Sequence, residues 1–273
     1  MQTPTATTRA ARSSLPLAFA AGAAVGVLGG MIGLGGAEFR LPLLIMLFGF
    51  VALQAVILNK ALSVVVVLTA LPARLATVPL SDLTPHWSVV ANLLVGSLVG
   101  AWAGASWATR MRSSTLYRVL AVLLVGIAAA LIGNHAGTLH HVILAPTAVL
   151  VVGVVAGFFI GVVAAIMGVA GGELLIPTIV LLFGTDIKIA GSLSLAVSLP
   201  TMLVAFARYS RDGSFTVLRR YARLAGVLAA GSIIGTVAGG LLLGVVPDAV
   251  LVPGLAILLI LSSIKVWRHA TTE

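Results

Sequence analysis

A ten-residue pattern, G-x-x-G-x-E-x-x-x-P, stands at Gly33–Pro42 and again at Gly168–Pro177, 135 residues further on. Around it, residues 26–49 (GVLGGMIGLGGAEFRLPLLIMLFG) align without a gap to residues 161–184 (GVVAAIMGVAGGELLIPTIVLLFG), with 9 of 24 positions identical. The same offset aligns GSLVGAWAG (96–104) with GSIIGTVAG (231–239), identical at 5 of 9 positions. Shared apolar composition supplies some agreement between Gly and Leu. It does not place a Glu and a Pro twice in one register. The chain reads as two homologous halves, 1–138 and 139–273, and residues 1–14 form a polar cytoplasmic tail.

Each half contains five apolar stretches. In the first they run near 15–36, 39–53, 55–77, 87–109 and 115–134; in the second, near 142–170, 174–185, 189–209, 222–244 and 249–267. Most exceed the ~17 residues a helix needs to span the hydrocarbon core. The second stretch of each half is shorter, and fits a half-helix, a re-entrant segment or a short span. Composition agrees: 60% of residues are hydrophobic and 8% charged, against about 45–50% and about 25% in a soluble domain. Soluble globular, disordered and coiled-coil readings are excluded. The expected fold is all-α, a polytopic membrane protein of two inverted repeats, each with about five transmembrane or half-membrane helices.

Basic residues set the orientation. If all ten stretches cross and the N-terminus is cytoplasmic, twelve basic residues face inward: Arg9, Arg12, Arg110, Arg112, Arg118, Arg208, Arg211, Arg219, Arg220, Arg223, Lys265 and Arg268. Three face outward (Arg40, Arg74 and Lys188), and Lys60 lies within a span. Short segments that merely dipped in and returned would turn Arg110–Arg118 outward, so ten crossings fit better. Both termini are then cytoplasmic, in the cell inner membrane. The apolar run from Leu15 resembles a signal peptide, but the repeat uses it as a structural element, so it is expected to be retained. The net charge of +9 lies in short loops and forms no continuous basic face, which argues against nucleic acid. The chain has no Cys, which excludes disulfides and thiol chemistry.

An odd number of crossings per repeat turns the halves upside down relative to each other. Inverted repeats interrupted by Gly and Pro at matching positions point to a secondary transporter with its site near the midplane. The glycine-rich GMIGLGGAEFRLP and IMGVAGGELLIP, each leading into a short apolar segment, resemble the TauE/SafE (TSUP) sulfite exporter family, whose members carry G-x-G-G-G-x-x-x-x-P in both halves. The resemblance covers nearly the whole chain. It implies a small sulfur-containing anion as substrate, sulfite or an organosulfonate with thiosulfate among the candidates, and export as the direction. The chain departs from the triple glycine at Ala37, and Ala170 precedes the second pair.

The candidate substrate site consists of Gly35, Gly36, Ala37, Gly171 and Gly172, with Asn59, Lys60, Ser63, Ser192 and Ser194. Glycine turns expose backbone N–H groups at the start of a new helix, where free donors and a partial positive charge suit an oxyanion. The competing reading is close helix packing, which small residues also permit; it is preferred for 96–104 and 231–239. Glu38 and Glu173 are ionisable groups inside the membrane, functional by default, and proton coupling is their expected role. A structural ion pair between Glu38 and Arg40 is the alternative. Lys60 either counters a buried charge or snorkels to an interface. Arg74 and Arg208 read as interfacial anchors.

His86, His135, His140, His141 and His269 fall in loops or the tail with no ligand spacing, so no metal and no cofactor is expected. Ser63 follows Lys60 by three residues, but no oxyanion-hole signature supports a hydrolase, and no Walker A motif is present. The expected activity is transport without catalysis. Expected partners are the anion, protons and the lipid bilayer, and a homodimer is compatible with the chain. An anion channel is the principal alternative, ahead of an intramembrane enzyme or scaffold subunit.

Overall fold

The computed structural model describes residues 14–32, 36–77, 80–135, 145–185, 187–211, 216–241 and 248–272. Among them the chain forms ten main helices and no strand. The first five are α1 (Leu15–Ile32), α2 (Ala37–Met46), α3 (Ala52–Thr77), α4 (Trp87–Arg110) and α5 (Ser113–His135). The second five are α6 (Pro146–Met167), α7 (Gly172–Phe183), α8 (Ile187–Ser210), α9 (Ala222–Leu241) and α10 (Asp248–Thr272). They follow the ten apolar stretches in order; the largest difference is α2, which ends at Met46. Short helical turns at Leu80–Leu83, Thr84–His86 and Thr216–Arg220 occupy connections read as loops. His135 and His269 belong to helices, and His86 closes a turn; His140 and His141 lie outside the described residues.

Four helical segments, 81–110, 146–167, 189–210 and 222–239, are long and apolar enough to cross a membrane. Shorter apolar helices cover 15–28, 52–68, 113–129 and 174–183. The protein is an all-α, multi-pass membrane protein.

Glycine decides which helices touch. On α4, a Cβ added at Gly96, Gly100 or Gly104 would fall on the carbonyl of Val154, Phe158 or Val162 of α6. On α9, Gly231, Gly235 and Gly239 meet the carbonyls of Phe19, Ala23 and Val27 of α1 in the same way. Both runs ascend together, so each pair is parallel. Adding 135 to one member and subtracting it from the other exchanges the two sets, which gives the pairs a pseudo-two-fold relation. Packing is thus the role of the GSLVGAWAG and GSIIGTVAG glycines: without a water-driven hydrophobic force, membrane helices associate where small residues let backbones approach.

The directions of the remaining helices follow from their contacts. The Ser97 and Thr201 hydroxyls lie 2.8 Å apart, and Arg208 Nε donates to Ser106 Oγ at 2.7 Å, so α8 runs parallel to α4 and α6. Between α6 and α8, α7 begins with Gly171 against Ala164 and Ile160, and ends with Phe183 against Gly153. It carries the chain back along α6, and does not dip and leave on the same side. From α8 to α9 there are eleven residues, five of them helical, a reach of at most about 29 Å. That is too short to recross, so α9 opposes α8. Since α1 follows α9 and α6 follows α8, the two copies lie upside down relative to each other.

Candidate functional site

Both repeated motifs break the helix where the glycines stand. Gly36 (φ 69°) precedes α2 and Gly171 (φ 85°) precedes α7, each in the left-handed region that a residue with a Cβ adopts only at a cost. Gly168 (φ 70°) ends α6, and a Cβ there would also meet Val56 O and the backbone nitrogen of Lys60 on α3. Four residues after each Glu stands a proline inside the short helix, Pro42 and Pro177. Proline has no N–H to return to the carbonyl four residues back. The E-x-x-x-P spacing therefore releases the Glu38 and Glu173 carbonyls from their helices.

Asn59, on α3, joins the two breaks. Its Nδ2 donates to Ala37 O at 3.0 Å and to Met167 O at 3.1 Å, one carbonyl within the first copy of the motif and one immediately before the second. Its Oδ1 accepts from Arg40 Nε at 2.9 Å. The guanidinium also donates from Nη2 to Ser63 Oγ at 3.0 Å and from Nη1 to Ser232 Oγ at 3.2 Å. Ser63 in turn donates to Asn59 O at 2.7 Å and to Gly168 O at 3.2 Å. Arg40, Asn59, Ser63 and Ser232 are all buried, and they tie α2 and α3 of the first copy to α9 and the α6 break of the second.

This overturns the placement of Arg40 at an outer end. Among the described residues it also gives Glu38 and Arg40 no hydrogen bond to each other. Residues i and i+2 of a helix do not face each other, so no hydrogen-bonded pair closes, and Glu38 acts on Arg40 through longer-range attraction alone. Glu38 is 2% exposed, and its Oε1 has no hydrogen-bond partner among the described residues.

Lys60 is fully buried and does not snorkel. Its Nζ donates to Ala164 O at 2.8 Å and Val169 O at 2.7 Å, at the end of α6, where Ala164 O also accepts the Val169 N–H at 3.1 Å. A cation at a helix C-terminus meets both the open acceptors and the negative end of the dipole.

Of the other sequence-derived candidates, Gly36, Ala37, Asn59, Lys60 and Ser63 come together at this centre. Gly171 and Gly172 cap and open α7. Ser194 is buried and donates to Gly191 O of its own helix at 2.8 Å; Ser192 is buried on the same helix. Gly35, the Glu173 side chain and the Arg74 side chain lie outside the described residues. Arg208, read as an anchor, donates to Ser106 Oγ and lies 5.7 Å from the Trp102 ring centroid. Sequence reasoning missed Arg40 and Ser232. The signal for Arg40 was its pairing with Leu175 across the repeat; Ser232 carried none beyond its identity with Ser97. Among the described residues, no three His, Asp or Glu side chains converge as a metal site would require.

Two interrupted helices brought together in a buried polar centre, inside a pseudo-two-fold helical bundle, are the arrangement of many membrane transporters. A sequence model of the family described as Sulfite exporter TauE/SafE matches residues 17–266. The chain belongs to that family. No curated protein and no solved structure gives a match.

Proposed function

We propose that the protein is a secondary transporter that moves a small sulfur-containing anion across the cell inner membrane. Sulfite or an organosulfonate is the proposed cargo, thiosulfate a further candidate, export the direction, and both termini are cytoplasmic. The observation that carries this reading is the Asn59 amide, which holds a carbonyl of each glycine break. In an inverted repeat, that junction is where a guest reachable from either side would sit. Alternating access then needs only a change in which side of the junction is open. Family membership supports the substrate class.

Glu38 and Glu173 are the proposed proton carriers. Protonation gives a carboxyl an O–H donor and removes one charge from the membrane interior, where ionised groups are costly. The test is flux into proteoliposomes with sulfite, thiosulfate, sulfoacetate, taurine and sulfate, with and without a pH gradient. The expected result is saturable movement of a sulfur oxyanion that responds to the gradient, and loss of that response in Glu38→Gln and Glu173→Gln. Flux linear in driving force and blind to pH would favour an anion channel. If none of these anions moves, the substrate assignment fails.

A further inference from the structure

We infer that Arg40 is the counter-charge that receives the anion, so that the protein has one oxyanion-binding arginine, in the first copy only. The inference rests on the transporter reading and extends it to a named recognition element.

A guanidinium carries five N–H donors. In Arg40 three are donated, all to neutral oxygens: Asn59 Oδ1, Ser63 Oγ and Ser232 Oγ. One N–H on each terminal nitrogen has no acceptor among the described protein groups. Two such N–H groups held in a plane match two oxygens of one oxyanion, the geometry that distinguishes arginine from lysine. The three neutral bonds orient the fork without neutralising it.

The charge balance supports this. A buried cation is tolerated when paired, and the carboxylate nearest in sequence, Glu38, attracts Arg40 through space without a hydrogen bond to it. Its Oε1 has no donor among the described residues, so arginine and glutamate stand two residues apart, each without the other as a hydrogen-bond partner. The other buried cation of the centre, Lys60, directs its ammonium to carbonyls at the end of α6. An arriving sulfite or sulfonate head would supply Arg40 with a hydrogen-bonded negative partner, which the longer-range attraction of Glu38 does not provide.

The second copy offers no equivalent. Leu175 replaces Arg40 and is buried among apolar side chains. Ser97, the counterpart of Ser232, lies 2.8 Å from Thr201 Oγ1.

The test is equilibrium binding by calorimetry to the full chain in lipid nanodiscs. Sulfite, thiosulfate and methanesulfonate serve as probes, and chloride as a competitor. The wild type is expected to bind at least one oxyanion, with chloride a poor competitor. Arg40→Lys keeps the charge and loses the fork, so it should weaken binding at least ~10-fold and narrow the preference over chloride. Arg40→Gln should abolish binding. Gly126→Ala, where an added Cβ meets nothing within 4 Å, should bind like the wild type.

A purely structural arginine would lower the amount of folded protein without changing Kd or selectivity in what remains. Wild-type affinity and selectivity in monodisperse Arg40→Lys would overturn the inference, even if Arg40→Gln does not fold, and would leave the transporter reading intact. Failure of the wild type to bind any of the three oxyanions would overturn both.

Discussion

The two copies of the motif share a backbone and differ in what they surround. In the first, Arg40 binds Asn59, Ser63 and Ser232. In the second, the matching positions hold Leu175, Ser194, Ser198 and Ser97. Leu175 lies in an apolar cluster, Ser194 bonds within its own helix, and the buried Ser198 Oγ has no partner among the described residues. Duplication preserved the elements that break, pair and pack helices. Among the described side chains, the buried charges of the centre, Glu38, Arg40 and Lys60, all belong to the first copy. A pseudo-two-fold scaffold thus need not carry two equivalent sites, and matched glycines say more about the path of the chain than about its chemistry.

The comparison can be broken by converting one copy toward the other. The largest effect is expected for Leu175→Arg, which buries a cation in an apolar cluster. Removing the partner of a buried charge costs about 3–5 kcal/mol, and a charge introduced without one should cost a similar amount. Loss of monodisperse protein after extraction, or a sharp fall in thermal stability, is the measurement. A Leu175→Arg protein as stable as the wild type would mean that the second copy already accommodates a cation.

Asn59→Ser gives the first copy the residue found in the second. It removes both carbonyl contacts and the acceptor for Arg40 Nε, three bonds at ~1 kcal/mol each. A decrease of about 3 kcal/mol in unfolding free energy is expected, together with lost transport. The smallest effects sharpen the contrast. Ser63→Ala should destabilise by about 1–2 kcal/mol because Ser63 serves Arg40, Asn59 and Gly168, whereas Ser198→Ala should be neutral or slightly stabilising because it deletes an unpartnered hydroxyl. Parallel thermal melts of the two variants would expose the asymmetry directly, and equal shifts would refute it.

Much of the scaffold was legible in the sequence. Apolar stretches mark helices because a bilayer leaves the backbone few alternatives, and the repeated small residues mark the faces that touch. The limits were physical. Arg40 sits between a glycine break and a proline at the edge of an apolar run, which looks interfacial until α3 and α9 are known to enclose it. Lys60 donates to main-chain oxygens at the end of α6, and no side-chain pattern announces a carbonyl. Ser232 lies in a motif whose glycines pack helices, so its bond to Arg40, 192 residues away in sequence, is a product of tertiary register alone.

One consequence lies in the parallel seams α1–α9 and α4–α6. Each seam takes one strand of its zipper from either side of the duplication, so the gene's two segments are laced through each other. Severed at the boundary between them, neither piece would keep a mate for its row of small residues. If the transporter rocks, the rigid bodies that swing are therefore mixed bundles, and the line along which they part does not follow the line along which the sequence was copied.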